Sequence, residues 1–172
     1  EVGPGPKQLF TLVQQSHDAE NDLRTVMASQ ILFWMLRAPD GHAKNFSIQL
    51  QAGAAGRFRL TPMYDVMSAY PVMGDGPNQW AAQDLKLAMA LLGKNRHYHM
   101  HNIQRRHFNS TAKKVGFGEN AESLLQELVA RTPAVVAQVQ AQLSQGFSQQ
   151  VADKVLGGLQ SPAQALEGMP PT

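Results

Sequence analysis

Asp40-Gly41-His42-Ala43-Lys44-Asn45 is followed by two short runs, 46–51 and 57–60, and then by Thr61-Pro62-Met63-Tyr64-Asp65-Val66. The two runs flank Ala52-Gly53-Ala54-Ala55-Gly56, a glycine-bearing connection, and so read as a β-hairpin. A hairpin returns the chain to the place it left. It therefore brings the loop that ends at Asn45 back towards Asp65, twenty residues further on.

That convergence has a chemical use. Phosphoryl transfer needs a carboxylate to take the proton of the acceptor hydroxyl, and groups that hold magnesium on the phosphates. Kinases supply an Asp base and, after four intervening residues, a metal-binding Asn; a second Asp completes the metal site. Asp40 and Asn45 have that spacing, and Asp65 lies beyond the hairpin. Oxygen ligands of this kind suit a hard ion such as Mg²⁺. Each residue also has a plain structural reading. Asp40 after Pro39 and Asn45 fit a turn, and Asp65 fits the cap of a following helix.

Outward from this stretch the pattern is helical. Leu23, Val26, Met27, Ile31, Trp34 and Met35 recur at three- and four-residue steps, which predicts a helix over 18–36, closed before Pro39. Asp84 is placed to cap a short helix ending at Gly93, and Ile103–Val115 reads as another. Asn120 opens a run with Leu124, Leu125, Leu128 and Val129. Thr132-Pro133 then reads as the start of a separate helix with Val135, Val136, Val139 and Leu143 as its buried stripe. Ser148 begins a last helix through Leu159. The fold class expected is mainly α with one small hairpin. Residues 1–17, opening on Gly3-Pro4-Gly5-Pro6, read as a linker or torn end, 18–160 as the helical domain, and 161–172 as a fraying tail. The first residue is Glu1, not Met, so the text reads as beginning inside a longer protein.

Strung together, Asp40-Gly41-His42-Ala43-Lys44-Asn45-Phe46-Ser47 and Leu60-Thr61-Pro62-Met63-Tyr64-Asp65-Val66 resemble the signature of the HipA-type toxin kinases. Asp84-Leu85-Lys86-Leu87-Ala88-Met89 and Arg106-His107-Phe108 extend the resemblance in the same order, from about residue 28 to 118. What the resemblance implies is the C-terminal lobe of a cytoplasmic serine/threonine kinase, the toxin of a bacterial toxin–antitoxin pair linked to growth arrest and persistence. By it Asp40 is the catalytic base, and Asn45 and Asp65 hold Mg²⁺. His42, Ala43, Lys44, Asn45, Tyr64 and Asp65 lie along the ATP site. The implied partners are a helix-turn-helix antitoxin, operator DNA reached through the antitoxin complex, and glutamyl-tRNA synthetase as protein substrate. Two departures stand out: Ala38 occupies a position where the family often has Asn, and the chain has no glycine-rich phosphate loop or strand lysine. Those parts belong upstream in the family, so this piece alone is expected to be inactive until joined to its ATP-binding lobe.

The net charge is only +2, yet residues 85–118 carry seven basic side chains and no Asp or Glu. Such a block suits an anionic partner or a solvated helical face equally. If Ile103–Val115 is a helix, Arg106, Lys113 and Lys114 are the candidates for contact with a DNA phosphate backbone. No sequence reader accompanies them. A DNA-contacting or purely interacting helical module therefore stands beside the enzyme reading. His97, His99 and His101 have spacings that can hold a metal, but no carboxylate lies near to orient them, and a solvated loop is the plainer account. Trp80 is either a core anchor or an exposed contact. With no cysteine, disulfides and thiolate metal sites are excluded. The apolar run Ile31-Leu32-Phe33-Trp34-Met35-Leu36 is far short of the roughly 20 residues that span a bilayer.

Overall fold

The computed structural model describes residues 3–53 and 56–171. Five helices, α1 (Pro6–Val13), α2 (Ala19–Met35), α3 (Arg105–Val115), α4 (Glu122–Gln142) and α5 (Gln149–Gly168), surround two separate hairpins. The first pairs β1 (Ile48–Leu50) with β2 (Phe58–Leu60), and the second pairs β3 (Lys86–Leu92) with β4 (Arg96–His99). The mainly α class expected from the sequence stands, with one hairpin more than expected.

The centre is α2. Val26, Met27, Ile31, Phe33, Trp34 and Met35 are all buried, so its apolar surface wraps well beyond a single stripe and must be covered from several sides. Phe10 of α1, Leu87 and Leu91 of β3, Phe108 of α3, Leu124 and Leu125 of α4 and Leu166 of α5 join the same core. Trp34 fixes one register within it. Its indole N–H donates to the Met100 carbonyl at 2.8 Å, and its ring meets Phe108 edge-on. Asp22, also buried, accepts from the Leu60 amide at 2.8 Å and from the Ser16 hydroxyl, tying α2 to the first hairpin.

Helix α2 ends as the sequence predicts, but by its own device. Arg37 takes a left-handed conformation (φ 51°) and Ala38 N–H returns to the Phe33 carbonyl, so the chain has left the helix before Pro39 is reached.

Several expectations need correction. The reading of 1–17 as a linker fails over Pro6–Val13. Pro6 begins α1, and Leu9, Phe10 and Val13 are buried against the core. The Gly-Pro pairs were punctuation in front of a helix and not a loop in themselves. No helix runs from Asp84 to Gly93. Leu87, Met89 and Leu91 are buried along β3, just after the buried Leu85, and tertiary pairing overrides the helix-forming Lys86, Ala88 and Met89. Pro133 starts no new helix either. Helix α4 continues through it, with the Thr132 hydroxyl donating to the Leu128 carbonyl in the disturbed turn. The stripe assigned to this stretch reduces to Val136, since Val135 and Val139 are exposed. Finally, 161–168 is helical and not frayed. Ser148 caps α5, Pro162 sits inside it, and Pro162, Ala163 and Leu166 are buried. Asn109 helps to hold this end, donating to the Pro171 carbonyl at 2.7 Å.

Gly41 shows how the core meets the loop that follows α2. A Cβ there would lie within 2.7 Å of three carbons of the buried Phe33 ring. Gly41→Ala is therefore expected to cost about 1–3 kcal/mol through overpacking, read as a lower urea midpoint at unchanged slope. An unchanged midpoint would mean that the Phe33 ring moves aside freely.

Candidate functional site

Two segments meet at the open end of the first hairpin. After Asp40 the chain turns tightly: His42 N–H donates to the Asp40 carbonyl at 2.8 Å and Asn45 N–H to the His42 carbonyl at 3.0 Å. A single 3-10 turn, Ala43–Asn45, delivers the chain to β1. Ile48 pairs with Leu60, and Thr61 N–H donates to the Ser47 carbonyl at 2.9 Å, so the ladder runs right up to this turn. Ala54 and Ala55, in the expected connection, lie outside the described residues.

The ladder places Asn45 beside Asp65. The Asn45 side chain is buried and its amide donates to both the backbone carbonyl (3.2 Å) and the Oδ2 (3.3 Å) of Asp65. Asp65 itself is left-handed (φ 56°), a conformation that Asp and Asn tolerate better than most residues. The preceding residue locks the arrangement. Tyr64 donates its phenol to the Lys44 carbonyl at 3.0 Å and shares a 2.7 Å hydrogen bond with the Ser47 hydroxyl. Asp40 is exposed, with His42 Nε2 3.3 Å from its Oδ1. His42 Nδ1 is buried without a hydrogen-bond partner.

Each sequence-derived site residue has a definite place. Asp40, His42, Ala43, Lys44 and Asn45 share one loop, and Tyr64 and Asp65 return to it. The oxygen set fits a hard cation. With its amide engaged, Asn45 still offers Oδ1, and Asp65 a carboxylate oxygen. Among the described residues no group of three or more His, Asp or Glu could hold a metal unaided. A magnesium ion at Asn45 and Asp65 would take its remaining ligands from water and phosphate, as Mg²⁺ commonly does.

Arg106, Lys113 and Lys114 are elsewhere, on α3. Arg106 is exposed, Lys113 pairs with Glu119 at 2.8 Å, and Lys114 donates to the Gly93 carbonyl.

The family model of the HipA-like C-terminal domain matches residues 3–136. The chain belongs to the HipA-like C-terminal domain family. A solved Shewanella oneidensis MR-1 toxin–antitoxin assembly, described as HipA, HipB and operator DNA, contains a chain of the same fold. The TM-score is 0.76 at 17% identity, and the match covers 98% of this chain and 37% of that one. The HipA-like domain described here thus spans little more than a third of its structural neighbour.

Sequence reasoning missed three features of this HipA-like domain. Ser47 as the partner of Tyr64 had no signal in the sequence. Arg37 lies over the Trp34 ring at 5.1 Å, which spacing alone does not show. Trp80, left open between core and surface, is half-exposed on the wall of a cleft of about 470 Å³ beside Pro39, with Asp84 and Lys86 on the rim. The histidine run is also more ordered than a solvated loop. His97 and His99 lie on β4, His97 stacks on His107 at 3.8 Å, and His99 meets His101 edge-on. Burial, helped by His97 and Arg106, pushes His107 down to about 4. No described helix is long and apolar enough to cross a membrane.

Proposed function

We propose that this HipA-like domain is the C-terminal lobe of a serine/threonine kinase toxin that moves the γ-phosphate of ATP to a protein hydroxyl. The observation that carries this reading is the Asn45–Asp65 contact across the mouth of the first hairpin, in the same loop as Asp40. In the proposal Asp40 accepts the proton of the acceptor hydroxyl, while Asn45 and Asp65 offer oxygens to Mg²⁺. Bound there, the ion would neutralise charge on the phosphates. His42, Ala43 and Lys44 line the phosphate side and Tyr64 the nucleotide side.

The phosphate loop and its lysine would come from an upstream lobe. Large apolar side chains exposed on and after the hairpin, Ile48, Leu50, Val66 and Met67, are consistent with a surface that such a lobe covers. The cleft beside Pro39, next to the proposed base, is where a substrate segment would approach. Glutamyl-tRNA synthetase remains the proposed substrate by resemblance, with cytoplasmic growth arrest and persistence as the outcome. The neighbour's assembly with HipB and operator DNA supports a helix-turn-helix antitoxin and DNA as partners here too. Arg106 and Lys113, both exposed on α3, are the proposed phosphate contacts; Lys114 is engaged by Gly93 and contributes less.

The test is direct. Joined to its ATP-binding lobe, the chain should transfer radiolabelled γ-phosphate to serine or threonine only when Mg²⁺ is present. No transfer to any protein, itself included, would leave a binding module and overturn the enzyme reading.

A further inference from the structure

Four cations converge on a cleft remote in sequence from the Asp40–Asn45 loop and Asp65. Lys7 comes from α1, Lys94 from the β3–β4 turn, Arg96 from the start of β4 and Lys114 from the end of α3; Leu92, Gly93 and Asn95 form the rest of the wall. The cleft measures about 440 Å³. No carboxylate lines it, and residues 85–118 contain none. What distinguishes these four is that they line one cleft together with no carboxylate among its walls. Arg24, Arg105, Lys113 and Arg131 each have a carboxylate partner, whereas no ion pair among the described residues includes Lys7, Lys94, Arg96 or Lys114.

The supporting elements are fastened together, so the convergence is built into the fold. Gln14 on the chain just after α1 donates to the Val115 carbonyl at 3.0 Å, and the Leu92 amide donates to the Thr111 hydroxyl at 2.7 Å. Lys114 is drawn to the floor by the Gly93 carbonyl. Gly93 itself is buried beneath His97, whose Nε2 would lie 2.6 Å from any Cβ added there.

We propose that this cleft is an anion site for a small oligophosphate, a ligand with two or more linked phosphate groups. Like charges brought together without a counter-charge favour an anion between them. Arg96 offers a fork of N–H donors for paired phosphate oxygens, and the three ammonium groups act as point charges around it. The size falls in the range of small-ligand pockets, roughly 300–1,000 Å³. The cations point into a concavity from three elements. A duplex backbone is more commonly met by side chains projecting from a convex face. The inference does not rest on the kinase reading, since no residue of the Asp40–Asn45 loop takes part.

Calorimetric titration of the chain with sodium tripolyphosphate at about 0.15 M salt tests it. Saturable one-to-one binding is expected. The double variant Lys94→Glu/Arg96→Glu should weaken it at least about ten-fold with the melting temperature unchanged, both positions being exposed. Lys86→Glu, on the same hairpin but outside the cleft, should leave affinity as it was. Absent saturation, or equal loss in Lys86→Glu, would overturn the proposal. So would binding of a mixed-sequence DNA duplex, lost in the double variant, with none of tripolyphosphate; the cleft would then be a backbone contact.

Discussion

Under the proposed kinase reading, Asp40→Asn, made in the chain joined to the proposed ATP-binding lobe, is expected to lower phosphoryl transfer by about a hundred- to ten-thousand-fold. The substitution keeps the shape of the side chain and removes its ability to accept a proton from the attacking hydroxyl. Asp65→Asn should be similarly severe through a different step, since a neutral amide is a much poorer Mg²⁺ ligand than a carboxylate. Neither should disturb the fold. Asp40 is exposed and has only His42 beside it. At residue 65 the left-handed backbone suits Asn as well as Asp, so stability should stay within about 0.5 kcal/mol. Initial rates paired with melting curves make the measurement. Full activity in Asp40→Asn would remove it as the base. Full activity in Asp65→Asn, with an unchanged Mg²⁺ requirement, would remove the metal assignment alone.

The largest effect on stability is expected at Arg105. Its guanidinium holds Glu122 through Nε at 3.0 and 3.1 Å and donates through Nη1 to the Leu166 carbonyl at 2.9 Å, joining α3 to the start of α4 and the end of α5. The side chains are 11% and 22% exposed. Arg105→Ala leaves a mostly buried carboxylate with only Asn109 for company. A cost of about 2–4 kcal/mol follows, towards the lower part of the range for buried pairs because Glu122 retains some water. The same pair dictates a pH dependence. The Arg105 hydrogen bond holds the Glu122 carboxyl below its ordinary value, with Asn109 assisting. A carboxylate depressed in the folded state contributes stability that is present above its unfolded value, about 4.3. That contribution is lost as pH falls through the lower folded value. The gap between wild type and Arg105→Ala should therefore be widest near neutrality and narrow below about pH 4.3. Urea midpoints across that range decide it, and a gap independent of pH would assign the loss to packing.

How much of this was legible in the sequence depended on distance along the chain. Asp40, Asn45 and Asp65 were readable because one short hairpin links them, and hairpins are local. Helix α2 was readable because its apolar spacing is long and regular. β3 was not, since Lys86, Ala88 and Met89 favour a helix when β4 is out of view; the alternation of Leu85, Leu87, Met89 and Leu91 was the signal to weigh instead. Pro133 and Pro162 read as boundaries, yet both helices continue because packing holds their flanks. Lys7 fell in a stretch taken for linker. Only the docking of α1 against α3 and the second hairpin gives it the company of Lys94, Arg96 and Lys114.

The amide of Asn45 has a consequence for timing. By bonding Asp65 from within the protein, it holds the two halves of the loop–hairpin mouth together in the folded chain. The entropy of bringing them together is then already spent before any ligand arrives. A ligand entering here would meet a preorganised mouth and would not have to spend its binding energy on closing it.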